Sequence, residues 1–318
     1  MVSSAFANLL GQAQAVELLQ RAIGCDRIAP AYLFVGPHGV GRRLAAHAFA
    51  RCLLSATQTP LRQELENHPD LLWVEPTYNQ QGKLISVSDL MGRGDPLPKS
   101  QPQTRLEQIR GLSRFLGRTP LEAPRLLVVL DQAETLGEAA ANALLKTLEE
   151  PGNATLILIA PTPESLLPTL VSRCQRIPFY TLSEAQVATV LTRTNHAEIL
   201  SHPQILAMAA GSPGTAILHW QRWQEMPSAL LTACQQPLRS PQDCLGLARQ
   251  VDQDLNLEMQ LWLIDYLEQV YWQQLHQPAP MLVLEQAKKY LKGYVQPRLV
   301  WEVTLLDLWE LRSFQAVS

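Results

Sequence analysis

The residues best equipped for chemistry lie in Gly36-Pro37-His38-Gly39-Val40-Gly41-Arg42-Arg43. This stretch keeps the spacing of the phosphate-binding loop G-x-x-x-x-G-K-[ST]. In a working loop the glycines let backbone N–H groups cradle phosphates, the lysine reaches the β- and γ-phosphates, and the hydroxyl holds magnesium. Here Arg42 stands at the lysine position and Arg43 at the hydroxyl position. A guanidinium is a planar fork and not a compact point charge, so Arg42 is no close substitute for lysine. Arg43 offers a metal no oxygen and repels its charge. The glycine framework of Gly36, Gly39 and Gly41 is thus retained around altered chemistry.

A second group tells the same story. The apolar run from Arg125 to Leu130 ends in Asp131, a residue type that can hold magnesium. The next position, where an acidic residue would help activate an attacking water, is Gln132, which cannot accept a proton. Three departures in two separate motifs predict no independent ATP hydrolysis and make ATP binding by this chain doubtful.

A loop of this kind works only between a strand and a helix. Residues 32–35 (Tyr-Leu-Phe-Val) read as a buried strand and residues 44–54 as a helix. Upstream, Ala15, Leu18, Leu19, Ala22 and Ile23 recur at helical spacing. Downstream, His68-Pro69-Asp70 precedes a strand at 71–75. Residues 76–104, rich in Pro, Gly, Gln, Asn and Ser, read as a long surface excursion with a β-like stretch at 84–87. Helices follow at 105–116 and 139–150, the latter stopped by Pro151-Gly152, and a short one is carried within 161–171. The runs at 125–131 and 155–160 have the continuous apolar character of central parallel strands. Strand alternating with helix over this span predicts a doubly wound α/β domain at residues 1–179.

Beyond Tyr180 strand signals vanish. Helices are expected at 183–191, with Ser183 capping ahead of Gln186, and at 202–210 and 213–223. A polar linker is expected at 234–241, then helices at 257–275, 281–290 and 298–314. These give a small helical domain at 180–232 and an all-α domain at 233–318. Trp262, Trp272, Trp301 and Trp309 enrich the last domain, either as a core stripe or as a helical oligomerisation surface.

The 318 residues are 47% apolar and only 17% charged, against roughly 25% charged in typical soluble chains. Such a composition fits faces covered by other proteins, and equally a chain with large cores. A net charge of −3 supplies no global footprint for nucleic acid. Arg105, Arg110, Arg114 and Arg118 read as a solvated helix face. Cys25, Cys52, Cys174, Cys234 and Cys244 form neither a C-x-x-C pair nor a metal-binding spacing, so no metal site is expected. The N-terminal residues lack a basic and apolar leader, and no run approaches the ~18 apolar residues of a membrane span. A cytoplasmic chain without membrane contact is expected.

Asp131-Gln132-Ala133-Glu134, the run Asn142-Ala143-Leu144-Leu145-Lys146-Thr147-Leu148-Glu149-Glu150-Pro151, and Leu166 to Gln175 with Ser172-Arg173-Cys174 resemble the AAA+ clamp-loader subunits of bacterial DNA polymerase III. Among these the pattern is most similar to the delta-prime type. His68-Pro69-Asp70 and Gly211-Ser212-Pro213-Gly214 also match, so the resemblance covers about residues 5–225. It implies an AAA+ module, a helical lid and a collar through which five subunits associate. It further implies a non-hydrolysing subunit that binds gamma/tau-type ATPase subunits and the delta subunit, and reaches the sliding clamp and primed DNA through the complex. Arg173 of Ser-Arg-Cys is implied to act in trans on ATP held by a neighbour. Gly214 stands where the ATPase members carry a nucleotide-sensing arginine. The four-cysteine zinc module of many relatives is absent, since Cys52 is alone in its region, and no zinc is expected. A divergent gamma/tau-like ATPase, a chain holding nucleotide as an inert ligand, and a stand-alone DNA-binding protein are the competing readings.

Overall fold

A computed structural model of the chain describes residues 5–55, 65–80, 82–93, 98, 100–236, 238–293 and 295–315. The chain divides into two compact units, Met1–Gln186 and Val187–Ser318. Residues 56–64, which follow the helix that carries Cys52, lie outside the described residues.

The first unit runs α1 (Ala13–Gly24), β1 (Ala31–Val35), α2 (Arg42–Leu54), β2 (Leu71–Val74), β3 (Thr77–Gln80), β4 (Lys83–Ser86), α3 (Val87–Arg93), α4 (Leu106–Leu116), β5 (Leu126–Leu130), α5 (Glu138–Glu149), β6 (Ala154–Ala160), the one-turn α6 (Pro168–Val171) and β7 (Gln175–Pro178). Five strands form one parallel sheet in the order β2-β5-β6-β1-β7. Every residue of β1, β5 and β6 is buried, which is why these strands read as continuous apolar runs and not as alternation. On one face Leu33, Val128 and Leu158 join Ile109 and Leu112 of α4 and Leu144 of α5. On the other, Phe49 of α2 meets Tyr32 edge-on with ring centroids 5.1 Å apart, and Phe34 lies 5.4 Å from Phe179. Each such ring contributes roughly 1.5–3 kcal/mol through burial.

Two expectations need correction here. The excursion expected at 76–104 carries, among its described residues, more regular structure than the one β-like stretch at 84–87. β3 and β4 pair antiparallel with Thr77 opposite Ser86, α3 follows, and Tyr78 and Leu90 are buried. The backbone of Thr77 pairs with that of Gln103, closing the insertion onto the body. Its turn residues punctuate elements too short to show a period. The second correction is β7, which had no strand signal. It pairs with β1 along one edge of the sheet, and only Ile177 of Gln-Arg-Ile-Pro is buried, so no apolar run announces it.

β2 is positioned by the residue before it. Asp70 is buried and accepts the N–H groups of Leu121, Glu122 and Ala123, each at 2.7 Å. Its own N–H donates to Nδ1 of His68 at 3.1 Å. The matched His-Pro-Asp therefore anchors the turn that feeds β5.

The second unit is helical among its described residues. α7 (Glu184–Arg193) begins just before the division, followed by α8 (Pro203–Ala209), α9 (Pro213–Glu225), α10 (Ser228–Gln235), α11 (Pro241–Asp254), α12 (Leu257–Leu275), α13 (Pro278–Lys292) and α14 (Pro297–Gln315). Ser183 and Gln186 cap α7 reciprocally: the Gln186 N–H donates to Ser183 Oγ and the Ser183 N–H to Gln186 Oε1. The expected linker at 234–241 is shorter than its polar composition suggested, because Cys234 and Gln235 complete α10 and Pro241 opens α11, which Ser240 caps. Trp262 and Trp301 are core residues. The Trp301 indole donates to Gln260 Oε1 and that of Trp262 to His219 Nδ1, both at 3.0 Å. Trp272 remains 47% exposed, so the tryptophans are not one uniform stripe.

Among the described residues no helix is long and apolar enough to cross a membrane, and no group of three or more His, Cys, Asp or Glu is arranged to hold a metal.

Candidate functional site

The glycine loop leaves the carboxyl end of β1 and enters α2, beside the carboxyl end of β6, where the Gly36 N–H donates to Pro161 O. This is the crevice at which open parallel sheets bind ligands. The retained glycines have a local cause. A Cβ on Gly36 would lie 2.3 Å from the carbonyl oxygen of Phe179, and Gly41, at φ +105°, caps α2 against Leu9. Glycine is required there for backbone shape, whatever the loop binds.

Arg42 does not project from the loop as a lysine would. It is buried, and Nη2 donates to Nδ1 of His38 at 3.2 Å. Nε2 of His38 then carries the proton and faces Glu134 at 3.9 Å. Burial lowers the Arg42 pKa, opposed by the nearby carboxylates of Glu134 and Asp131. Burial likewise raises that of Glu134. Arg42 Nη1 and Glu134 Oε2 are each buried without a hydrogen-bond partner.

Arg43 is the decisive residue of the site. Its Nη1 donates to Asp131 Oδ2 at 3.2 Å and its Nη2 to Glu75 Oε1 at 2.6 Å. Its guanidinium carbon lies 5.2 Å from the Trp73 ring centroid, and His47 stacks on that ring at 4.1 Å. The other Asp131 oxygen accepts the N–H of Gln132 at 2.9 Å. Gln132 itself adopts a left-handed backbone, φ +50°. Both oxygens of the would-be metal ligand are therefore engaged within the chain, one of them by a cation covalently part of it. Burial still raises the Asp131 pKa, with Arg43 as the largest opposing influence. Glu75 also accepts from Ser88 Oγ, and its backbone carbonyl from Gln108 Nε2 at 2.8 Å, so the same carboxylate ties the β3–β4–α3 insertion to the loop helix.

Ser172-Arg173-Cys174 follows α6. Ser172 Oγ and Arg173 Nη1 both donate to the Thr169 carbonyl, at 3.1 and 3.0 Å. Arg173 Nη2 donates to Glu149 Oε1 at 2.9 Å, and the arginine side chain stays 37% exposed. Cys174 packs against the sheet core, and burial pushes its thiol up to about 11. It is neutral at physiological pH and no nucleophile.

Residues 11–183, more than half of the chain, match the family described as DNA polymerase III, delta subunit. Residues 185–308 match the one described as cyanobacterial DNA polymerase III delta prime, C-terminal domain. The chain belongs to the DNA polymerase III delta-prime family. The DNA polymerase III subunit delta' of Bacillus subtilis is 34% identical over 181 residues, 54% of this chain and 48% of that one. That of Pseudomonas aeruginosa is 32% identical over 227 residues, 66% of this chain and 62% of that one. The chain therefore spans about half to three fifths of the length of these relatives. A crystal structure of a DNA polymerase III gamma subunit-related protein from Thermotoga maritima superposes with a TM-score of 0.57 at 18% identity, covering 93% of this chain and 99% of that one. This likeness establishes the fold, a parallel α/β module followed by helices.

Within that family fold, the structure brings Gly36, Gly41, Arg42, Arg43 and Asp131 together, with Gln132 at the rim. Gly214 lies in the first turn of α9, in the second unit, where Ser212 Oγ accepts the Thr215 N–H. Sequence reasoning missed Glu75, the second partner of Arg43, and Glu149, the partner of Arg173. Glu75 directly follows β2, whose parallel pairing with β5 places it near Asp131, and that adjacency was its only signal. Glu149 was visible within the Leu-Glu-Glu-Pro run, without any indication of what it meets.

Proposed function

We propose that this chain is the non-hydrolysing delta-prime subunit of a clamp loader, built as an AAA+ module, a lid at 180–232 and a collar at 233–318. It binds gamma/tau-type ATPase subunits and the delta subunit, and the complex loads the sliding clamp onto primed DNA. It requires no cofactor of its own and no zinc. The observation that carries the non-hydrolysing part is Arg43, whose guanidinium engages Asp131 and Glu75 where a working loop would recruit magnesium. This geometry weighs against the gamma/tau-like alternative.

In the same reading Arg173 completes the site of a neighbouring subunit. Water attacks the γ-phosphorus of the neighbour's ATP, the bond to the bridging oxygen breaks, and ADP and phosphate leave. Arg173 stabilises charge on the transferred group. Its exposure and its three N–H groups not engaged by Glu149 or Thr169 support that role. Arginines acting this way contribute about 10³ to 10⁵ in rate. The test is reconstitution: Arg173→Ala should leave the fold and assembly intact and lower ATP turnover and clamp loading by the complex at least tenfold. An unchanged rate would refute the finger role, and ATP turnover by the wild-type chain alone would refute the non-hydrolysing role. A second reading, nucleotide held as an inert ligand, is favoured by one observation, the buried and unpartnered Nη1 of Arg42. Equilibrium binding of a labelled ATP analogue to the lone chain distinguishes it.

A further inference from the structure

We infer that Glu149 is the positioning residue for Arg173, an inference that rests on the finger reading above. The starting point is the placement of Glu149 at the last position of α5, followed by Glu150 and Pro151. Carboxylates at a helix C-terminus oppose the macrodipole, so helix formation gives no reason for an acidic residue there. The compensation is specific: Glu149 Oε1 accepts from Arg173 Nη2 at 2.9 Å.

The contact acts with a second one. Nη1 of the same guanidinium donates to the Thr169 carbonyl at 3.0 Å, an acceptor shared with Ser172 Oγ. Two acceptors, the Glu149 carboxylate at the end of α5 and the Thr169 carbonyl within α6, grip the two terminal nitrogens of the fork. An arginine held at one nitrogen can swing about its long stem, whereas one held at both presents a fixed plane. Each terminal nitrogen keeps one N–H, and Nε keeps its own, so the guanidinium can face a phosphate without releasing either acceptor. Arg173 would thereby be oriented before any nucleotide arrives, and preorganised donors are the ones that stabilise developing charge most effectively. Glu149 touches neither nucleotide nor water in this arrangement and acts through Arg173 alone.

The experiment uses the reconstituted complex, assembled with each variant of this chain at saturating partner concentrations and checked by gel filtration. Steady-state ATP hydrolysis is measured over a range of ATP. Glu149→Ala is expected to lower kcat about five- to tenfold with KM for ATP unchanged. Glu149→Gln, which keeps an oxygen acceptor, is expected to recover most of the rate. Glu150→Ala, which removes the same charge from the same helix end without touching Arg173, is expected to match the wild type. Arg173→Ala measured alongside separates the two ideas. If it is impaired while Glu149→Ala turns over at the wild-type rate or faster, the positioning inference is overturned and the finger reading stands. If Arg173→Ala is itself unimpaired, the finger reading falls and this inference with it. A Glu149→Ala deficit that follows reduced assembly, or that Glu150→Ala reproduces, also overturns the positioning role.

Discussion

Replacing Arg43 by alanine isolates the contact that most distinguishes this loop from a working one. The guanidinium pairs with two carboxylates whose side chains are 8% exposed at Asp131 and 12% at Glu75, while its own side chain is 49% exposed. Removing one partner of a fully buried pair destabilises by about 3–5 kcal/mol, because the other charge is left without compensation. Water reaches half of Arg43 and screens the pair, which lowers the expected loss for Arg43→Ala to about 2 kcal/mol. For a unit of this size that corresponds to a fall in Tm of roughly 4–8 °C. The pH dependence is more diagnostic than the size. Burial holds the Asp131 carboxyl above its ordinary value, and Arg43 is the main influence holding it down. A carboxyl raised in the folded state gives its full stabilisation below the unfolded pKa and loses it as pH rises through the folded one. Arg43→Ala raises Asp131 further, so the variant's deficit should be largest at pH 7–8 and shrink as the pH falls toward the ordinary carboxylate range. Urea unfolding of the full chain, followed by circular dichroism at several pH values, measures this. A deficit independent of pH, or none at pH 7.5, would refute the reasoning.

Two further perturbations test the scaffold. Asp70→Asn weakens three charge-assisted hydrogen bonds and should destabilise by about 3 kcal/mol in urea. Burial alone would raise the Asp70 pKa, but the three N–H donors outweigh it and the net shift is downward. The sign is thus opposite to that of Asp131: Asp70 stabilises above the unfolded pKa, and its contribution is lost as pH falls through the folded one. The Asp70→Asn deficit should accordingly disappear in acid. In the helical unit, Trp301→Ala should cost about 3–5 kcal/mol, since the ring is fully buried and bonded to Gln260. Trp272→Ala should change stability by less than about 0.5 kcal/mol, and comparable losses in thermal unfolding would show that the two rings share one core.

What was legible in the sequence is what depends on neighbours along the chain. β1, β5 and β6 announced themselves because a strand covered on both faces is apolar at every position, and the strand-loop-helix around Gly36 because glycine spacing is local. β7 was illegible because an edge strand with one buried residue has no pattern to display. The insertion at 77–93 was read only in part, β4 through its β-like stretch, because its elements run for four to seven residues, two periods or fewer of either regular structure. Arg43 was recognised as incompatible with a metal from its type alone. Its partner Glu75, 32 residues away, is fixed by the pairing of β2 with β5, which no local signal reports. Arg173 and Glu149 are likewise brought together by the packing of α5 against α6.

The two arginines differ in how firmly they are held, and that difference decides what each can do. Arg43 faces two carboxylates that are nearly removed from water, and withdrawing it would leave both uncompensated. Arg173 faces one carboxylate, Glu149, whose side chain is 54% exposed, and a pair of that kind is worth about 1 kcal/mol or less. A triphosphate approaching Arg43 would have to displace a bonded guanidinium and also add negative charge beside Asp131, whose ionisation burial already opposes. One approaching Arg173 meets free N–H groups and competes at most with a weak, solvated pair. The same side chain thus neutralises two buried carboxylates beside the internal loop and leaves an accessible cation just past α6, and the exposure of the paired carboxylate separates the two.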